Sequence, residues 1–154
     1  MTYEQLLIQA DSEYLIVKEK PLFNNDGRIK GNRIAIRKSI PTIAEKSCVL
    51  AEELGHYYTT SGDILDQSKT ENRKQELRAR LWAYNNMVGL VGIVNAFKHG
   101  CRNLYETAEY LEVTEEFLQE ALSAYRSKYG ICKELDNYIV FFIPHLAVLK
   151  KFQE

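Results

Sequence analysis

The feature that most constrains this chain is a predicted helix that is small or apolar over most of its surface and yet carries ionisable side chains. Thr42, followed three residues later by Glu45, forms a capping box directly after Pro41, so a helix is predicted from Ile43 to about Thr60. Its small and apolar positions are Ile43, Ala44, Cys48, Leu50, Ala51, Leu54, Gly55 and Tyr58. A helix of this composition packs inside a protein.

Three ionisable residues of this helix, Glu52, Glu53 and His56, point in similar directions. At about 100° per residue, His56 lies roughly 40° from Glu52 and roughly 60° from Glu53 on the other side. Burying such groups is costly unless something compensates their charge. A divalent cation would compensate it, so this helix is predicted to form one wall of a metal site.

The spacing of these residues is similar to a metallopeptidase motif. Helices of the H-E-x-x-H type place two imidazoles four residues apart, with the glutamate beside them as general base. Residues 52–56 read Glu-Glu-Leu-Gly-His, so the second histidine and the base are present. Glu52 stands in place of the first histidine.

A further carboxylate, Glu76, lies in a second predicted helix from about Thr70 to Val88. It has two interpretations. Arg73 and Arg80 lie three residues before it and four after it, so Glu76 could form a helical ion pair worth about 0.3–0.5 kcal/mol. The other interpretation is a metal ligand, which the distance from His56 and the Ala79 and Trp82-Ala83 that follow Glu76 favour through the family resemblance described next.

The chain resembles the ImmA/IrrE metallopeptidases, a family found in phages and mobile elements. The resemblance rests on Gly31–Ile36, on Glu45–His56, and on Glu76-x-x-Ala79-x-x-Trp82-Ala83. It implies an α+β, zincin-like domain. Residue by residue, it implies that His56 and Glu76 are metal ligands and that Glu53 is the general base. Glu52 does not match the histidine ligand that is usual in the family.

Three roles are open for Glu52. It could be a carboxylate ligand, it could point away while another donor completes the site, or the site could be degenerate and free of metal. The first role is favoured. A carboxylate in place of an imidazole makes the metal a poorer Lewis acid and favours harder ions. This does not exclude zinc, which is the expected metal, and it makes manganese or iron(II) the alternatives.

The rest of the chain predicts a small antiparallel sheet packed on the metal-site helix, followed by a helical C-terminal half. The predicted elements of the first part are a helix at Tyr3–Ser12 and strands at Tyr14–Lys18, Arg28–Lys30 and Arg33–Arg37. The later ones are helices at Leu90–Lys98, from Asn103 to about Leu111 and at Glu115–Tyr129, and a strand at Tyr138–Ile143. The segment Arg33–Ile36 could hold a substrate as an added strand, or the sheet could only cover the helix.

Length and composition indicate one domain over residues 1–154, with a catalytic-type core at 1–88 and a helical extension at 89–154. The three cysteines, Cys48, Cys101 and Cys132, form no C-x-x-C pair, which favours reduced thiols in the cytoplasm. No signal peptide and no long apolar run are visible, so neither secretion nor a membrane partner is expected.

The sequence pattern of residues 108–118 is similar to that of a helix-turn-helix, which suggests DNA binding as a rival function. The charge argues against direct nucleic-acid binding. Between positions 101 and 130 there are three basic residues and six acidic ones, namely Glu106, Glu109, Glu112, Glu115, Glu116 and Glu120. Packing or docking of a protein partner is favoured, and a DNA-binding regulator is the third choice.

The expected function is that of a metal-dependent endopeptidase in which Glu53 moves the proton of the attacking water. The family resemblance implies a protein substrate, a helix-turn-helix repressor encoded on a prophage or mobile element. The alternative is a metallopeptidase-like scaffold that binds the repressor without cutting it, because the first ligand has changed to Glu52.

Overall fold

A computed structural model describes residues 1–60 and 69–151 of the chain. Contacts divide the chain into two compact units, Met1–Asn86 and Met87–Glu154. The single domain expected over residues 1–154 stays a prediction.

The helices of the first part follow the sequence-based boundaries closely. The elements are α1 at Tyr3–Ser12, β1 at Ile16–Lys20, β2 at Gly27–Lys30, β3 at Arg33–Arg37, α2 at Ile43–Thr59 and α3 at Lys69–Met87. Side-chain caps explain the agreement: the Thr42 hydroxyl accepts a hydrogen bond from the Glu45 N–H at 3.2 Å. The sequence after α2 continues with Ser61-Gly62, a pair that is typical of a helix stop, and this pair lies outside the described residues.

The first sheet has the strand order β1-β3-β2. β2 and β3 form the predicted antiparallel hairpin, which turns at Gly31 with a positive φ of 59°. β1 runs parallel to β3, so the sheet is mixed and the prediction of a wholly antiparallel sheet was wrong in this detail. The strand with the buried isoleucines, Ile34 and Ile36, takes the central position, and both β3 and its neighbour β2 contact α2.

The central position of β3 also corrects the predicted place for a substrate strand. Arg33–Arg37 is hydrogen-bonded to β1 on one side and to β2 on the other. It therefore has no free edge, and the prediction that Arg33–Ile36 could accept a substrate strand was wrong. Within this sheet the edge strands are β1 and β2.

One face of α2 is buried, whereas Ile43 and Tyr58, two of the apolar positions on which the interior prediction rested, are exposed. Leu50, Ala51 and Leu54 have no exposed surface, and Cys48 is buried as a small hydrophobe. Burying each leucine contributes roughly 1.5–3 kcal/mol relative to leaving it exposed. Contacts with α1, β2 and β3 cover the helix, which fixes the direction in which its ionisable residues point.

The second unit contains three helices and a second sheet. They are α4 at Gly89–His99, α5 at Leu104–Leu111, α6 at Glu115–Tyr129, β4 at Cys132–Leu135, β5 at Tyr138–Phe141 and β6 at Ala147–Lys150. The sheet is antiparallel in the order β4-β5-β6. The late strand was predicted, whereas β4 and β6 were missed because each has four residues and carries lysine or glutamate.

Helices α5 and α6 contain the residues whose sequence pattern is similar to that of a helix-turn-helix. A short turn joins them, with Glu112 in the left-handed region at φ 59°. Glu115 and Glu116 form the acidic first turn of α6, where they interact favourably with the helix dipole. Direct DNA binding by this pair stays the third hypothesis.

None of the three cysteines forms a disulfide with another described cysteine, which agrees with the predicted reduced thiols. Among the described residues, no helix has the length and apolar character required to cross a membrane. The cytoplasmic location stays a prediction.

Candidate metal centre

The second half of α2 and the middle of α3 line one cavity of about 800 Å³. Glu52, Glu53 and His56 reach it from α2, and Glu76 reaches it from α3. The structure therefore brings all four predicted site residues to the same cavity.

The contact between the two helices at this cavity joins His56 to Glu76. The His56 Nε2 atom lies 3.4 Å from Glu76 Oε1. In the described part of the chain, Glu76 forms no ion pair with Arg73 or Arg80. The helical ion pair that competed with the ligand interpretation of Glu76 is thus not formed.

A glycine allows α2 and α3 to approach closely beside this pair. A Cβ atom added to Gly55 would lie 2.2 Å from the Ala79 carbonyl oxygen, which is a forbidden distance. Tyr58 stacks on Trp82 with ring centroids 4.9 Å apart. The Ala79 and Trp82 positions of the motif therefore hold the helix carrying Glu76 against the helix carrying His56.

Glu53 lies in a half-buried, negatively charged environment. Burial is the largest cause that raises its pKa to about 7, and the charges of Glu52 and Glu76 raise it further. The backbone of β2 covers this side chain, since a Cβ atom on Gly27 would lie 3.1 Å from Glu53 Oε1. A carboxyl group with a pKa near neutrality can both accept and donate a proton at working pH.

The donor chemistry of this cavity fits a divalent cation. One imidazole and three carboxyl groups line it, and the charges of Glu52 and Glu76 add to the effect of burial in raising the pKa of Glu53. The geometry is incomplete: among the described residues, no group of three or more His, Cys, Asp or Glu side chains is arranged to hold a metal. His56 and Glu76 are the donors already in place.

Several residues that line the cavity were not singled out from the sequence. They are Asn25, Gly27, Arg28, Ile29, Gly31, Tyr57 and Thr60. Tyr57 lies four residues after Glu53, so helical spacing could have found it. The residues of β2 carried no such signal, because sequence alone does not place a strand over a particular turn of a helix.

Glu13, directly after α1, forms hydrogen bonds with two tyrosines in the C-terminal turns of α2. The hydroxyl groups of Tyr57 and Tyr58 donate to its two carboxylate oxygens at 3.1 and 3.2 Å. The hydrogen bond to Glu13 is also the largest cause that raises the pKa of Tyr57. Tyr57 is therefore held beside His56 in a neutral, hydrogen-bonded state.

The comparison with protein families agrees with this arrangement. The model of the peptidase M78 family, described as the IrrE N-terminal-like domain, matches residues 14–123. The chain belongs to this family. The match covers α2 and α3 and confirms the predicted ImmA/IrrE resemblance and the α+β fold. No curated protein and no solved structure matches the chain.

Membership of the M78 family makes this a metallopeptidase-like domain and implies a divalent metal. The four residues of the cavity lie inside the matched range. The position of the metal, its identity and the role of Glu52 stay predictions.

The titration of Glu53 makes stability of the metal-free protein depend on pH. Its folded-state pKa of about 7 exceeds the unfolded value of 4.5, so its stabilising contribution is full below pH 4.5 and is lost as pH rises through about 7. Replacing Glu53 with glutamine removes this titration. Above pH 7 we expect Glu53→Gln to exceed wild type in stability by on the order of 1–2 kcal/mol, after discounting for partial exposure.

Urea denaturation of both proteins in the presence of a chelator, at pH values from about 4 to about 8, measures this difference. The two stability curves should coincide at the acidic end and separate as the pH rises. Curves that stay parallel over the whole range would show that Glu53 does not titrate in this way.

Proposed function

We propose that this chain is a metal-dependent endopeptidase whose metal is held by His56, Glu76 and Glu52. The observation that carries the proposal is the single cavity lined by these three residues and Glu53. Membership of a metallopeptidase family supports the class of reaction. Zinc is the favoured metal, and the carboxylate-rich donor set keeps manganese and iron(II) as alternatives.

Glu53 is the residue proposed to move protons. When bound, the metal supplies Lewis acidity to the attacking water and to the substrate carbonyl. The Glu53 carboxylate accepts a proton from that water and delivers it to the leaving amine. A cation bound by Glu52 and Glu76 would offset the charges that help to raise the pKa of Glu53 in the metal-free protein, which favours the carboxylate form that accepts the proton.

The edge of β2 that pairs with no described strand is proposed to hold the substrate. Gly27–Lys30 is an edge strand, and Gly27, Arg28 and Ile29 line the same cavity as Glu53. An extended peptide that adds as a strand beside β2 would place one of its carbonyl groups at the cavity. Because such a peptide continues past both ends of the strand, this geometry favours cleavage within a chain.

The proposed substrate is a helix-turn-helix repressor encoded on a prophage or mobile element. Cleavage of this repressor would switch on the genes of the element. The family resemblance supports this choice, and the open edge of β2 is compatible with a protein substrate.

Measuring how much metal the purified protein retains tests whether the proposed site binds a metal. Wild-type protein dialysed against zinc, manganese or iron(II) is expected to retain one ion per chain by elemental mass spectrometry. We expect His56→Ala and Glu52→Ala each to weaken metal binding by more than about 100-fold, since even residues that only support a ligand are worth roughly 10–100-fold.

The matched control is His99→Ala. His99 is the last residue of α4, stacks on Tyr110 and does not line the cavity, so its loss should leave metal binding unchanged. Retention of metal by Glu52→Ala alone would remove Glu52 from the ligand set. Retention by His56→Ala, or no metal in wild type, would contradict the proposed site.

The second candidate function is a scaffold that binds the repressor without cutting it. Two observations favour it: Glu52 lies four residues before His56, where an H-E-x-x-H motif would have its first histidine, and no three-donor group is formed within residues 1–60 and 69–151. Under this hypothesis the β2 edge still holds the partner. The chemistry of Glu53 would then make no difference to the fate of the repressor.

A further inference from the structure

The second unit contains a cavity of about 850 Å³ that shares no residue with the candidate metal centre. Its walls come from α4, α5, α6 and the segment that leads into β6. The apolar side chains that line it include Ile93, Phe97, Leu104, Leu122, Leu146 and Val148. Cavities of about 300–1,000 Å³ with apolar walls are typical of small-molecule sites.

The charged residues at this cavity are all basic. Arg102 and Arg126 line it beside the imidazole of His145, and no aspartate or glutamate does so in the part of the chain that the structure describes. This is unexpected for its surroundings, because residues 101–130 hold six acidic residues and three basic ones. Two of those three basic residues line the cavity.

Arg126 is the cation best placed to receive a ligand. Arg102 is already engaged, because its guanidinium lies 3.4 Å from Glu106 Oε1. Arg126 forms no ion pair with any described residue, and it projects from α6 with an exposed side chain. His145 adds an exposed imidazole to the same cavity.

We propose that this cavity binds a small amphiphilic anion, with its apolar body on the aliphatic walls and its anionic group at Arg126 and His145. The segregation of charge argues for a negative group, and the apolar lining argues for a hydrocarbon or aromatic body. A concave site of this size suits a small molecule. This inference does not depend on the proposed peptidase activity, because the two cavities have no residue in common.

Sodium decanoate, kept below its micelle-forming concentration, is a suitable probe for isothermal titration calorimetry. Saturable binding of one decanoate per chain is expected. Octanoate should bind about 15-fold more weakly, since each buried methylene is worth roughly fourfold in affinity. Acetate, which has no apolar body, should show no binding, and decanol, which has no charge, should bind about tenfold more weakly than decanoate.

Charge variants locate the anionic group. Arg126→Gln is expected to weaken decanoate binding by about tenfold. Lys128→Gln is the matched control: it removes the same charge from the same helix two residues later, at a position that does not line the cavity, and should leave binding unchanged. Circular dichroism checks that both variants fold.

Three results would overturn the proposal. Decanoate could fail to bind saturably to wild type, decanol could bind as tightly as decanoate, or the two charge variants could weaken binding equally. The series of ligands is measured on wild-type protein, so the proposal stays falsifiable even if Arg126→Gln does not fold.

Discussion

Replacing Glu53 with glutamine is expected to slow cleavage of the repressor by about 10²–10⁴-fold while metal binding is retained. Glutamine keeps the size and polarity of the side chain, but it does not accept a proton from water. The cavity lining and the β2 edge stay in place, so the variant should still bind its substrate. Mass spectrometry of the repressor after incubation with purified enzyme gives the rate and the cleavage site.

The matched control for Glu53→Gln is Glu45→Gln. Glu45 lies in the first turn of the same helix and does not line the cavity, so this variant should cleave at the wild-type rate. If wild type and Glu53→Gln leave the repressor equally intact while both bind it, the scaffold hypothesis replaces the enzyme. Wild-type cleavage by Glu53→Gln would instead remove Glu53 as the proton acceptor.

Replacing Gly55 with alanine should destabilise the first unit by about 3 kcal/mol. The added Cβ atom would lie 2.2 Å from the Ala79 carbonyl oxygen, and a backbone atom of a neighbouring helix does not move aside as a side-chain tip does. The helices must separate instead, which also moves Glu76 away from His56. Metal binding should therefore fall together with stability.

Trp82 is the single tryptophan and stacks on Tyr58, so its fluorescence during urea denaturation reports on this contact directly. Gly92→Ala is the matched control in α4. Its added Cβ atom would meet only Leu111 Cδ2, at 3.2 Å, and a leucine side chain can shift. Alanine also favours helix by roughly 1 kcal/mol over glycine. If Gly55→Ala proves as stable as Gly92→Ala, the close approach of α2 and α3 is wrong.

The helices could be predicted from the sequence because their signals are local. Thr42, Asn103 and Thr114 each cap a helix by accepting a hydrogen bond from the N–H three residues later. Gly100 and Gly130 follow the last residues of α4 and α6. None of these signals requires contact with a distant part of the chain.

The sheets were less predictable because pairing depends on residues far apart in sequence. Strand β1 is separated from β3 in the sequence by β2. Nothing in the sequence near Ile16–Lys20 indicates that β1 pairs with β3 or that the two strands are parallel. The short strands β4 and β6 are stabilised by pairing with β5 more than by their own composition. The sequence alone therefore could not predict that the β2 edge strand lines the cavity of the candidate metal centre.

For the candidate metal centre, the sequence by itself determined which residues share a helix face. The period of an α-helix places Glu52, Glu53 and His56 together without any other part of the protein. Tertiary structure alone decided that Glu76 Oε1 lies 3.4 Å from His56 Nε2, that β2 covers Glu53, and that burial raises the pKa of Glu53 to about 7. The physical reason is that helix geometry repeats every few residues, whereas distances and burial between elements depend on how the whole core packs.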